Sequence, residues 1–104
     1  MKTRAKLMCG IVAIAATCPA HAQDAATLAA RGLVANCANC HGTDGRTAPG
    51  APMRSLAGMP REELLAQMKA FRDGTRPSTI MGQLSKGFSD AQLAQMAAWL
   101  AAQK

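Results

Sequence analysis

The chain has 104 residues, a formal net charge of +6, one tryptophan, two phenylalanines and no tyrosine. That length holds one small domain, and so few aromatic side chains leave little bulk for a core. Its basic residues are scattered rather than gathered into a stripe, which argues against a nucleic-acid partner.

Residues 1–22 read as an export signal. Lys2, Arg4 and Lys6 make a positive start, Leu7 to Ala16 an apolar stretch, and Ala20-His21-Ala22 a small-x-small cleavage site. The apolar run falls short of the ~18 residues a membrane-spanning helix needs, so no transmembrane anchor is expected. Cys18 follows Thr17, a poor context for a lipoprotein site. Cleavage after Ala22 is expected to leave a domain of residues 23–104 in the periplasm. Its 82 residues carry nine basic and six acidic side chains, a net charge of +3. The signal also takes away Cys9, Cys18 and His21, so the remaining two cysteines and one histidine all fall in Cys37-Ala38-Asn39-Cys40-His41.

The periodicity of this domain is helical. A first helix, roughly Asp24 to Asn36, sets Leu28, Leu33 and Val34 among alanines and runs into that pentapeptide. Gly32 is either a weak spot, costing ~1 kcal/mol relative to alanine, or a place where another helix comes close. Two thiols three residues apart on one helical turn, followed by an imidazole, form the C-x-x-C-H signal of covalent haem attachment. Cys37 and Cys40 can each add to a vinyl group of the porphyrin as thioethers, and His41 can reach the iron. A structural zinc site almost always wants four nitrogen or sulfur ligands, and a thioredoxin-like pair wants a βαβ context. A plain Cys37–Cys40 disulfide leaves His41 unexplained. A buried porphyrin also supplies the missing bulk and a covalent staple for a small domain, so the haem-free chain is expected to be largely unfolded.

From Gly42 to Gly58 the chain is rich in Gly, Pro, Ser and Thr and reads as a loop beside the pocket. A second helix opens at Pro60, with Glu62 and Glu63 in its first turn, and closes at Gly74. Leu64, Leu65, Met68 and Phe71 form its inward stripe. Gly74 to Gly87 has no sustained period and reads as a second loop. A third helix starts at Ser89, where Gln92 completes a capping box and Phe88 can staple onto Leu93. Its inward face is Leu93, Met96, Ala97 and Leu100, with Trp99 nearby.

A methionine thioether is a common iron ligand opposite histidine and raises the reduction potential. Met68 and Met96 lie on helical stripes, where methionine usually fills core. Met53 and Met59 follow His41 closely, too soon to cross to the other face of the ring. Met81, in the second loop and forty residues past His41, is the expected ligand. A water or an empty position there is the alternative.

Taken together, these residues resemble a class I cytochrome c across essentially the whole of residues 23–104. Cys40-His41-Gly42-Thr43-Asp44-Gly45, Ser55-Leu56-Ala57-Gly58, Arg76-Pro77-Ser78-Thr79-Ile80-Met81-Gly82 and Lys86-Gly87-Phe88-Ser89-Asp90 are similar to the cytochrome subunit of flavocytochrome c sulfide dehydrogenase. The resemblance implies an all-α fold of three main helices and loops around one haem c, with Cys37 and Cys40 as thioether sites and His41 and Met81 axial. It implies that a proline carbonyl holds the second nitrogen of His41, with Pro49 and Pro52 competing and Pro52 favoured. Arg46, Arg54 and Arg76 are candidate partners for the haem propionates. The implied function is one-electron transfer, not catalysis, with electrons taken from a flavoprotein that oxidises sulfide. A free-standing carrier to an oxidase or other acceptor is the alternative, and a haem enzyme or gas sensor with a labile sixth position a third possibility.

Overall fold

The computed structural model describes residues 24–104. The export signal, its cleavage point at Ala22, and Cys9, Cys18 and His21 lie outside the described residues. Helix α1 (Ala25–Val34) begins at Asp24, whose carboxylate accepts from Thr27 N at 2.8 Å and from Thr27 Oγ1 at 2.9 Å. The hydrogen bond donated by the Thr27 backbone N–H holds this carboxyl below the usual range. A tighter 3₁₀ turn (Ala35–Cys37) and helix α2 (Ala38–His41) carry the chain on to His41. The expected first helix therefore feeds the motif directly, in three joined pieces.

Helix α3 (Arg61–Arg72) has Pro60 at its N-cap, Glu62 and Glu63 in its first turn, and Lys69 and Arg72 in its last. These charges suit the two ends of the helix dipole. Gly74, at φ 77°, turns the chain away. Helix α5 (Asp90–Ala101) carries the capping box in full, with Gln92 N donating to Ser89 Oγ and Ser89 N to Gln92 Oε1.

The stretch from Gly74 to Gly87 is not all loop, because Met81–Lys86 forms helix α4. Six residues are too few to hold a helix by propensity. Packing against α3 supplies the rest, together with completely buried Ser85, whose hydroxyl donates to the Met81 carbonyl at 2.6 Å. Gly82 N donates to Ser78 Oγ at 2.8 Å, tying the start of α4 to the turn before it.

Helix α5 lies against both α1 and α3. Val34, Met59, Leu64, Leu93, Met96, Ala97 and Leu100 form the buried core, with Leu33, Leu65, Phe88 and Trp99 packed around it. Leu28 is 52% exposed; at this end of α1 it is Ala30 that turns inward. Asp90 at the head of α5 accepts from Arg72 Nη1 at 2.6 Å and faces Lys69 Nζ at 3.8 Å, tying α5 to the end of α3. The Arg72 hydrogen bond holds the Asp90 carboxyl below its usual range.

Two glycines separate the requirements of helix and turn. Gly45 has φ 75°, and an added Cβ would lie 2.6 Å from Leu100 Cδ2. Gly32 is exposed, and an added Cβ would meet nothing within 4 Å. Of the two readings of Gly32, the weak spot is the one that holds. In urea melts of the holoprotein, Gly32→Ala is expected to gain about 0.5–1 kcal/mol. Gly45→Ala is expected to lose about 1–3 kcal/mol.

Candidate haem-binding site

A cleft of about 330 Å³ opens between α2, the loop before α3, and helices α3, α4 and α5. Its wall is mostly apolar, from Leu56, Leu64, Phe71, Leu84 and Leu100. Cys37, Cys40, His41, Pro52 and Met81 all line it. Residues that are far apart in the chain thus meet around one space.

The helical turn from Cys37 to His41 sets both thiols on one side, toward the cleft. Neither cysteine is in a disulfide. Burial pushes the Cys37 thiol up from its ordinary value, while Cys40 is exposed. His41 Nδ1 lies 2.7 Å from the carbonyl oxygen of Arg54. A carbonyl only accepts, so Nδ1 carries the proton and Nε2 keeps a free lone pair for a metal.

That carbonyl was expected from Pro52, and the structure assigns it to Arg54, two residues further on. Pro52 itself follows a turn closed by Ala51 N on Ala48 O at 3.1 Å. Ser55 Oγ and Leu56 N both donate to Gly45 O, at 3.1 and 2.7 Å. These bonds dock the chain beside the motif immediately after Arg54, so its carbonyl is the one within reach. Pro52 lines the cleft without making this bond.

The methionines divide. Met59 is core, whereas Met53, Met68, Met81 and Met96 line the cleft. Met96 is also part of the buried core, and Met68 Sδ lies 4.0 Å from Ser85 Oγ. Met53 directly precedes Arg54, on the strand of loop that binds His41. Met81 is half-buried at the head of α4, its carbonyl held by Ser85.

Among the candidate propionate partners, Arg54 and Arg76 line the cleft and Arg46 does not. Arg54 Nη2 already has an acid partner in Glu63 Oε1 at 3.0 Å, and the Arg76 guanidinium lies over the Phe71 ring at 4.7 Å. Among the described residues no three His, Cys, Asp or Glu side chains come together to hold a metal ion. Two features escaped the sequence, α4 beneath Met81 and the Arg54 carbonyl. The four-residue spacing of Ile80 and Leu84 was a signal for α4, masked by Gly82 and Ser85. For Arg54 there was none.

A profile described as cytochrome c matches residues 22–104. The chain belongs to the cytochrome c family. Cytochromes c carry covalently attached haem c and transfer electrons, and the residues around this cleft, two thiols, an imidazole and thioethers on apolar walls, fit that group. A solved cytochrome c4 from Acidithiobacillus ferrooxidans shares the fold with a TM-score of 0.65 at 30% identity, over 79% of this chain and 52% of that one. Cytochrome c-554(548) of Halomonas halodenitrificans is 37% identical over 75 residues, covering 68% of this chain and 88% of that protein. The cytochrome subunit of sulfide dehydrogenase from Chlorobaculum tepidum is 36% identical over 61 residues, or 59% of this chain and 54% of that one. The chain spans 27–41% of the length of three further relatives. The expected all-α cytochrome c fold is the fold of this chain, and no described helix is long and apolar enough to cross a membrane.

Met53, Ile80 and Leu84 stand exposed around the cleft, so the polypeptide alone leaves apolar surface in water. Chain made in a host without haem attachment is expected to lose most of its helical circular dichroism and its cooperative melt. Native helicity with a sharp transition in that haem-free chain would contradict this.

Proposed function

We propose that this chain is an exported monohaem cytochrome c of the periplasm, its domain formed by residues 23–104, that accepts single electrons from the flavoprotein subunit of a sulfide dehydrogenase. Cys37 and Cys40 would hold the haem through thioethers, and His41 Nε2 and Met81 Sδ would hold its iron. One observation carries the ligand assignment. A single apolar cleft gathers both thiols, Met81, and an imidazole whose Nδ1 proton is already held by Arg54. Met53 shares the loop that grips His41, whereas Met81 comes from a separate helix, which favours Met81 for the opposite position.

When bound, the haem supplies a couple that alternates between ferric and ferrous iron. The chain's part is to hold that couple still. Arg54 fixes the orientation and tautomer of His41 and raises its basicity. The Met81 thioether favours the reduced form. Leu56, Leu64, Phe71, Leu84 and Leu100 keep water from the group, so little solvent has to reorient as one charge comes and goes. With His41 and Met81 both holding the iron, the group would supply electron transfer rather than an open site for a substrate.

The likeness to the Chlorobaculum sulfide dehydrogenase subunit supports the flavoprotein partner. The coverage of cytochrome c-554(548), 88% of its length, favours the second reading, a free-standing carrier. Isolation from the native source separates them. Co-elution with a flavin-containing protein is the expected result, and a lone monomer would overturn the subunit reading. Met81→Ala is expected to keep covalent haem but to lose the weak sulfur-to-iron absorption band of the oxidised protein and lower its potential. If Met53→Ala does this instead, the axial assignment is wrong.

A further inference from the structure

We propose that Glu63 is a positioning residue for the axial histidine, acting through Arg54; this rests on the reading of His41 as an iron ligand. Arg54 has two jobs at once. Its carbonyl accepts the His41 Nδ1 proton at 2.7 Å, and its guanidinium donates to Glu63 Oε1 at 3.0 Å. The same Glu63 oxygen accepts from Gln67 Nε2 at 2.8 Å, one helical turn along α3. Arg54 and Gln67 both line the cleft.

The neighbouring chain shows why this matters. Among the described residues, the segment 47–54 makes two hydrogen bonds to anything outside itself, and both come from Arg54. The turn at Ala48–Ala51 bonds only internally. Ser55 N, the amide in the same peptide plane as the Arg54 carbonyl, makes no hydrogen bond there either, so no backbone bond within that plane holds the direction of the carbonyl. Behind it, Ser55 and Leu56 are anchored on Gly45. On its other side, the bond from its guanidinium to Glu63 on α3 is the remaining tie. Release that tie and the peptide pivots on Ser55, opening the bond to His41. Arg61, close by in the first turn, pairs with Glu62 at 3.2 Å and takes no part.

The test uses the ferrous holoprotein and proton NMR, reading the hydrogen exchange of His41 Nδ1–H. An exposed pair is worth at most about 1 kcal/mol, which is roughly a fivefold change in a local opening equilibrium. Glu63→Ala is therefore expected to speed this exchange about fivefold, as is Arg54→Ala, which keeps the carbonyl. The double variant should be no faster than either single one. Glu62→Ala removes the same charge from the same helical turn and should leave the exchange unchanged. A reduction potential measured alongside should rise in Glu63→Ala by more than in Glu62→Ala, because a weaker Nδ1 bond makes the imidazole a poorer donor to ferric iron. Unchanged exchange in Glu63→Ala, or equal effects from Glu62 and Glu63, would overturn the proposal. If the His41 ring protons lack the strong upfield displacement of a ligand over a porphyrin, the axial reading itself falls and this proposal with it.

Discussion

Seven buried side chains are a small core for this domain, and much of the remaining apolar surface faces a cleft rather than another side chain. Burial contributes roughly 25 cal/mol for each Å² of apolar area taken from water. Whatever area the cleft walls present stays unrealised until something apolar fills them. The helices around it therefore depend on a group the polypeptide does not itself contain. In a family defined by covalent haem c, that group is the porphyrin, and the fold and the cofactor site are one problem with one solution.

The local chemistry of the chain serves that arrangement. Asp24 starts α1, and the unbroken run through the 3₁₀ turn into α2 delivers two thiols and an imidazole on a rigid support. Gly45 lets the following turn lie against Leu100, and its carbonyl then receives the chain at Ser55 and Leu56. That contact sets Arg54 beside His41. On the far side, Ser85 spends its only buried hydroxyl proton on the Met81 carbonyl, fixing the head of α4. Each half of the site is thus held by a polar bond to backbone next to the functional side chain.

Much of this was readable from residue order, for identifiable reasons. The pentapeptide is a local signal, complete within five residues, and the third helix carried its own start marker in Ser89 and Gln92. The inward face of α5 followed from spacing alone. The remainder depends on contacts between distant segments. Helix α4 has only the spacing of Ile80 and Leu84 to mark it, and packing against α3 holds it. The partner of His41 is a backbone carbonyl, which no side chain advertises, and its position is set by the docking of Ser55 and Leu56 on Gly45. Leu28 turned outward because α1 presents Ala30 and Val34 to α5, and a leucine among alanines does not reveal which way it faces.

Every role proposed for these residues requires a porphyrin joined to Cys37 and Cys40. Mass spectrometry of chain matured in a host competent in haem attachment tests this directly. The predicted result is a polypeptide heavier by one haem, with the added mass on the peptide that contains both cysteines. A bare polypeptide with free or oxidised thiols at those positions would contradict it.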